Sequence, residues 1–217
     1  MQKDIMDFQA FLEYIPKIEK ETLPSVEAHI KMASLERIST IINKTYDRDG
    51  LRNAAVMMLF YPKNSEAHLA LIVRNASIGI HSSQIAFPGG KEEPEDLNLE
   101  ATALRETFEE IGILPERIQV VKAFSEVYIP PSRFLVSPFL GVCQAEITFN
   151  PSADEVAAMI ELRLEDLLDD ANLVQAKIKA SYTDEIEVPA FKLQGHIVWG
   201  ATAMMLNELK ETIKRVL

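Results

Sequence analysis

GGKEEPEDLNLEATALRETFEEIGI, running from Gly89 to Ile113, is the stretch whose reading decides the fold. With residues about 100° apart on a helix, Ala101, Leu104, Phe108 and Ile111 share one face, within an arc of roughly 80°. Glu106, Glu109 and Glu110 fall on the opposite side, within about 100° of one another. The spacing predicts a helix from about Asn98 to Ile111 that docks through its apolar stripe and projects three carboxylates together. Such carboxylates repel one another and keep their protons more tightly unless a cation sits among them. Oxygen ligands of this kind suit Mg2+ or Mn2+, and those ions suit a polyphosphate substrate. Taken alone, acids on the solvent face of an amphipathic helix are commonplace. The Gly89-Gly90 turn upstream, Arg105 placed to pair with Glu109, and Gly112 closing the helix tip the reading toward a site.

Working outward, NAAVMMLFY and HLALIVR read as two strands joined by a Pro-Lys-Asn-Ser turn, a hairpin. Beyond the helix, IQVVKAF, FLVSPFLGV and AAMIELRL are further strands, and LEDLLDD is a short helix. Trp199 to Leu217 forms an amphipathic helix with Ala203, Leu206, Leu209, Ile213 and Val216 on one stripe. Ahead of the hairpin, Phe8, Phe11, Leu12 and Ile15 lie at helical spacing until Pro16 ends or kinks the helix. Leu35, Ile38, Ile41 and Ile42 suggest a second helix before Asp49-Gly50 turns the chain. Residues 1–48 are therefore expected to form a helical extension, and 49–217 one α/β layered domain.

The chain has 217 residues, 47% of them hydrophobic, enough for a real core. A net charge of -11 argues against general attraction to nucleic acid or anionic membrane. Metal ions or local arginines can still reverse that sign at an anion site. Cys143 is the only cysteine, which excludes an internal disulfide and a cysteine-held zinc; its strand-like flanks suggest a buried thiol. MQKDIMDFQAFLEYIPK is broken by charges and lacks the apolar run of a signal peptide, and no stretch is apolar enough to span a bilayer. A cytoplasmic enzyme is the expectation.

The Gly89–Ile113 segment resembles the Nudix box, G-x5-E-x7-R-E-U-x-E-E-x-G-U with U aliphatic. Arg105-Glu106, Glu109-Glu110, Gly112 and Ile113 match in register, and Thr107 takes the first aliphatic position. Counting forward from Gly90 reaches Asp96, whereas counting back from Arg105 reaches Leu97. The spacer thus carries one extra residue, and the early box glutamate has no clean equivalent. Asp96 itself reads as a helix N-cap. The resemblance implies an α/β/α sandwich around a mixed sheet. It also implies that Glu106, Glu109 and Glu110 bind metal or activate water, with the carbonyl of Gly90 assisting and Arg105 orienting the acids. Nudix enzymes often supply a further acid from outside the box, and Glu155 is the candidate, set against its reading as an exposed loop acid.

LIVRNASIGIHSSQIAFPGG is similar to the segment that precedes the box in the coenzyme A pyrophosphatase subfamily, L-L-T-x-R-S, a short spacer, then L-R-x-H-x-G-Q-I-A-F-P-G-G. Arg74, Ile78, His81, Gln84, Ile85, Ala86, Phe87, Pro88, Gly89 and Gly90 match, and the lengthened box belongs to the same pattern. NPSADEVAAMIELRLEDLLDD and GHIVWGATAMML resemble two later segments of that subfamily. Gly79 stands where arginine is usual, Ser83 where glycine is usual, and Asn75 replaces a serine.

The resemblance implies hydrolysis of the pyrophosphate of coenzyme A or its thioesters to 3',5'-ADP and 4'-phosphopantetheine or its acyl form. A small-molecule nucleotide is then the expected partner, with a homodimer among the assemblies allowed. ADP-ribose or another nucleoside diphosphate derivative is the alternative substrate, kept open by Gly79 and Ser83. A non-catalytic sensor is the third reading, against which the three helix glutamates stand. Arg74, His81, Gln84, Phe87, Gly89 and Gly90 are the substrate-side candidates. Arg74 grips a phosphate or forms a surface salt bridge. His81 and Gln84 position substrate or cap the loop. Phe87 and Trp199 read as core packing, and His196 as a partly buried imidazole.

Overall fold

Among the described residues, four short helices come first: α1 (Phe8–Leu12), α2 (Ile15–Lys20), α3 (Val26–Ile30) and α4 (Leu35–Asn43). The computed structural model describes residues 7–44, 46, 50–75, 84–180 and 183–217. Asp7 caps α1 by accepting the amides of Gln9 and Ala10. Pro16 lies in the first turn of α2, where its missing N–H costs nothing, so it starts a helix rather than ending one. The helix expected around Leu35 is α4, while α3 was not anticipated.

The hairpin is β1 (Arg52–Lys63) and β2 (Glu66–Arg74). β1 runs through Pro62 and Lys63, and the turn is Asn64-Ser65 alone, with φ of 52° and 65°. Two left-handed residues make the turn whose twist matches the flanking strands. The strands pair only near this turn, from Phe60↔Leu69 to Lys63↔Glu66, and then diverge. β3 (Ile85–Ala86) and β4 (Gly89–Lys91) fill the wedge, β3 pairing with Ile72 and Val73 and β4 with Ala54, Ala55 and Val56.

After β4 come α5 (Leu99–Ile111), β5 (Gln119–Ala123), β6 (Val127–Ile129), β7 (Phe134–Val142), β8 (Val156–Arg163) and α6 (Leu164–Leu168). Among the described residues, β7 runs parallel to β1 and every other pairing is antiparallel, giving a mixed eight-stranded sheet. β8 covers the outer edge of β2, since Leu69 pairs with both Phe60 and Leu162. A separate antiparallel sheet of β9 (Leu173–Ala180), β10 (Thr183–Leu193) and β11 (His196–Val198) leads into α7 (Gly200–Val216). No strand was expected in this second sheet; Pro189 inside β10 and the polar residues of β9 mask its alternation.

Alternation along β1 sorts the core into two layers. Ala55, Met57, Leu59 and Tyr61 pack with Ala103 and Ile111 of α5. Ala54, Met58 and Phe60 pack on the other face with Ala203, Leu206, Leu209 and Ile213 of α7. Phe8, Phe11, Ile15, Ile18, Met32 and Ala33 from the leading helices belong to this same layer. The architecture is the α/β/α sandwich. Among the described residues, no helix is long and apolar enough to cross a membrane.

Glu208, fully buried on α7, ties the leading helices down. Oε1 accepts the amide of Ser25 at 3.0 Å, while Oε2 accepts that of Ser125 at 3.1 Å and meets Nε2 of His29 at 3.3 Å. Burial opposes its charge, but His29 and the Ser125 amide prevail and hold the carboxyl below its ordinary range. Lys122 adds a second tie, donating to the carbonyls of Ile18 and Glu21 at the end of α2. Glu208→Ala should cost about 3–5 kcal/mol in denaturant unfolding at neutral pH, because it strands buried donors. A carboxyl lowered on folding stabilises fully above its unfolded value, near 4.5, and loses that contribution as pH falls through the folded value. The gap between wild type and variant should therefore narrow below about pH 4.5, and a gap that widens there would contradict this role.

Candidate functional site

α5 sits on the sheet through its sequence-coded ends. Asn98 accepts the amide of Ala101 as N-cap, so the cap is Asn98 and not Asp96. At the other end Gly112 adopts φ 76°. Its lack of a side chain matters twice, since a Cβ there would lie 2.8 Å from Cβ of Asn150. The amides of Asn150 and Ser152 donate to the carbonyls of Ile111 and Glu110, satisfying two acceptors that the helix end leaves open. The loop before β8 is thereby stitched to the end of α5, and Glu155 rides on it.

The buried face of α5 differs from the expected stripe. Thr102, Ala103, Thr107, Glu110 and Ile111 are buried, whereas Phe108 is 46% exposed. The helix is rotated so that Glu110 points into the sheet rather than to solvent. Thr107, at the aliphatic box position, fits because its hydroxyl donates to the Ala103 carbonyl. Glu110 Oε2 accepts the Gly89 amide at 2.8 Å, and Oε1 lies 3.3 Å from Nη1 of Arg74.

Three carboxylate oxygens, one each from Glu106, Glu110 and Glu155, lie within 4.8 Å of one another. The expected trio was Glu106, Glu109 and Glu110. Glu109 instead stands outside the cluster, about half exposed, its carboxylate on Arg105 at 2.9 Å. Glu106 and Glu110, four residues apart, lie on one line of the helix, whereas Glu109 lies about 100° from Glu110 around the axis. The third member comes from the loop. Burial pushes Glu110 up to about 7 against the pull of the Gly89 amide and Arg74, with Glu106 and Glu155 adding repulsion. Burial also raises Glu106. Three converging oxygen donors with too little positive charge suit a hard divalent cation. Gly90 leaves the space this needs, since a Cβ there would lie 2.4 Å from the Glu106 carboxyl carbon.

Arg105 is the fixed point of the outer face. It grips Asp96 through two bonds of 2.9 Å, reaches Glu106 and Glu109 at 2.9 Å each, and donates to the Lys91 carbonyl. Asp96 also accepts Thr102 Oγ1 and the Glu93 amide, and the Arg105 bond leads these contacts in holding it far below the usual carboxylate range. Asp96 therefore anchors the arginine that orients Glu106. The sequence reading missed this role, although the count forward from Gly90 lands on Asp96.

Other candidates fall as follows. The Gln84 carbonyl accepts the Arg74 amide, fixing the start of the wedge segment. Phe87 is buried in the core under that segment. Gly89 has φ 155°, and a Cβ there would strike the Ala55 carbonyl at 2.3 Å. His196 is exposed rather than partly buried, and Trp199 is half-buried. His81, Ile78, Gly79 and Ser83 lie outside the described residues.

The NUDIX domain model matches residues 51–182. A Nudix hydrolase termed NudL from Photorhabdus laumondii is 29% identical over 166 residues, covering 76% of this chain and 87% of that protein. Its counterpart from Pectobacterium atrosepticum is 34% identical over 145 residues, covering 65% and 72%. Among solved structures, a Nudix hydrolase from M. smegmatis, RenU, aligns with TM-score 0.53 at 18% identity over 76% of this chain and 88% of that one. A MutT protein from Methanosarcina mazei aligns with TM-score 0.52 at 15% identity over 76% and 96%. These two structures speak to the fold alone.

If Asp96 holds Arg105 for the cluster, Asp96→Ala should weaken Mn2+ binding by roughly 10–100-fold while the far-ultraviolet circular dichroism stays unchanged. Glu165→Ala, an exposed acid paired only with Arg163 among the described residues, serves as control. Equal Mn2+ affinity in both variants would remove Asp96 from the site.

Proposed function

We propose, on the premise that this chain belongs to the Nudix family and is a pyrophosphohydrolase, that it cleaves the diphosphate of coenzyme A or its thioesters. The observation that carries the hydrolytic part is the meeting of Glu106, Glu110 and Glu155 beside Gly89-Gly90. Nudix hydrolases use a divalent cation, and the oxygen donors here suit Mg2+ or Mn2+. Glu106, Glu110 and Glu155 would hold it, with Glu109 and the Gly90 carbonyl close to the same place in sequence. When bound, such a cation neutralises the diphosphate and makes water more acidic.

The chain's own residues supply the rest. Arg105, held by Asp96, keeps Glu106 aimed at the cluster. Water adds to one phosphorus, the bridging P–O bond breaks, and a cluster carboxylate accepts the proton that water loses. The products are 3',5'-ADP and 4'-phosphopantetheine, because attack on the diphosphate leaves the 3'-phosphate untouched.

The choice of coenzyme A is supported by the way two distant resembling segments come together. Thr202, in GHIVWGATAMML, donates its hydroxyl to the Ile85 carbonyl of IAFPGG at 2.9 Å. β11 packs against β3 beside this bond. Segments more than a hundred residues apart therefore meet at β3, the strand that leads into the glycine pair, as expected if both serve one substrate. A cytoplasmic location goes with that substrate.

Chelation should abolish turnover and added Mg2+ or Mn2+ should restore it. Glu106→Gln, Glu110→Gln and Glu155→Gln should each lower kcat by about 10²-fold or more, with Glu165→Gln near wild type. kcat/KM for coenzyme A should exceed that for ADP-ribose by at least about tenfold, roughly 1.4 kcal/mol of differential transition-state binding. A preference for ADP-ribose by the same margin would overturn the substrate and leave the hydrolysis standing.

A further inference from the structure

Two arginines face the carboxylates, and they are held in opposite ways. Arg105 is locked by Asp96, Glu106, Glu109 and the Lys91 carbonyl, all at 2.9 to 3.0 Å. Arg74 makes one contact, Nη1 to Glu110 Oε1 at 3.3 Å, and among the described residues its guanidinium has no other partner. That distance is long for a charge-assisted bond, and one nitrogen out of three is engaged. The side chain is 24% exposed, so part of the fork faces the open side while Glu110 beneath it is closed off.

The backbone around Arg74 is nevertheless fixed. Its amide donates to the Gln84 carbonyl at 3.0 Å, and the next amide, Asn75, donates to the Glu155 carbonyl at 2.8 Å. Between Val73↔Ala158 and Arg74↔Val156 the β2–β8 register shifts, leaving Ala157 as an extra residue on β8. Such a bulge re-aims the strand end. Here it brings Arg74 and Glu155 to Glu110 from the same edge. A firmly placed backbone carrying a loosely bonded cation is the arrangement expected of a group that changes partners.

Building on the reading of this site as a cation-dependent diphosphate hydrolase, we propose that Arg74 is an exchangeable counter-ion. It neutralises Glu110 in the cation-free site and passes to a phosphate oxygen of the substrate once Glu110 is shared with a divalent cation. The guanidinium and the cation would compete for one carboxylate, because two positive charges on the same carboxylate repel in a partly buried site. The freed fork then faces the diphosphate, whose paired oxygens it matches. Arg74 is thus a positioning residue for Glu110 before the cation arrives and a substrate contact afterwards.

The exchange makes an opposite-sign prediction for metal and substrate. Chelator-treated full-length Arg74→Met, titrated with Mn2+ alone by calorimetry, should bind it at least about fivefold more tightly than wild type. Without Mn2+ the same variant should melt at a lower temperature, since Glu110 loses its counter-charge. With substrate, KM should rise proportionately more than kcat falls. Arg74→Gln, which keeps a donor for Glu110 without the charge, should move Mn2+ affinity the same way and keeps the test open should Arg74→Met not fold. Unchanged Mn2+ affinity in the variants would make Arg74 a plain substrate contact, and weaker affinity would make it a fixed support for Glu110. Either result overturns the exchange while leaving the hydrolase reading intact. Absence of Mn2+ binding in the wild-type chain would overturn both.

Discussion

The bond from the Gly89 amide to the buried carboxylate of Glu110 is the contact on which the geometry of this molecule turns. A carboxylate closed off from water is costly unless its oxygens are met, and this one is met by a backbone amide. For that amide to reach α5, Gly89 must sit in the wedge between β1 and β2, where it pairs with Val56 and where the hairpin pairing has stopped at Phe60↔Leu69. For α5 to lie close enough, Gly89 and Gly90 must lack side chains, one against the Ala55 carbonyl and the other against Glu106. A structural element and a chemical one are thus the same few atoms. The split hairpin exists to receive the glycine segment, and the glycine segment exists where the helix acids need it.

Two buried glutamates show how environment separates function from support. Glu208 receives two backbone amides and His29, and its charge is held. Glu110 receives one amide and one long arginine contact, with Glu106 and Glu155 close by, and its charge is opposed. Both face similar burial, so the difference lies in the partners. A satisfied carboxylate fastens helices together. An under-compensated one suits added positive charge, as the proposed function asks of it. Asp96 and Arg105 extend this logic outward, a tightly satisfied pair that steadies the less satisfied cluster beneath it.

Much of this was legible along the chain. The period of α5 located the helix and Gly112 marked its end, although Asp96 rather than Asn98 was read as the cap, and the apolar runs of β1, β2, β5, β7 and β8 predicted their strands. The three acids that meet, Glu106, Glu110 and Glu155, were all among those named beforehand. The faces were misjudged, however. Phe108 was read as docked and is half exposed, while Glu110 was read as projecting and is closed off. Ideal helical spacing treats a glutamate as a solvent group, and it has no means of knowing that a glycine amide waits on the other side. β9 and β10 were missed because polar residues break up the apolar run of β9 and Pro189 interrupts β10.

Sequence by itself determined which residues form α5, which turns demand glycine, and which side chains have the chemistry for a divalent cation and a diphosphate. These are properties of spacing, backbone freedom and functional groups, all local. Tertiary structure alone decided that Glu155 rather than Glu109 completes the cluster, that Asp96 anchors Arg105, and that Arg74 rests on Glu110. The Glu155 and Arg74 pairings join segments whose separation is set by where α5 docks and how the loop before β8 ties to its end. Docking depends on the summed packing of both core layers, and no single stretch of the chain contains that sum.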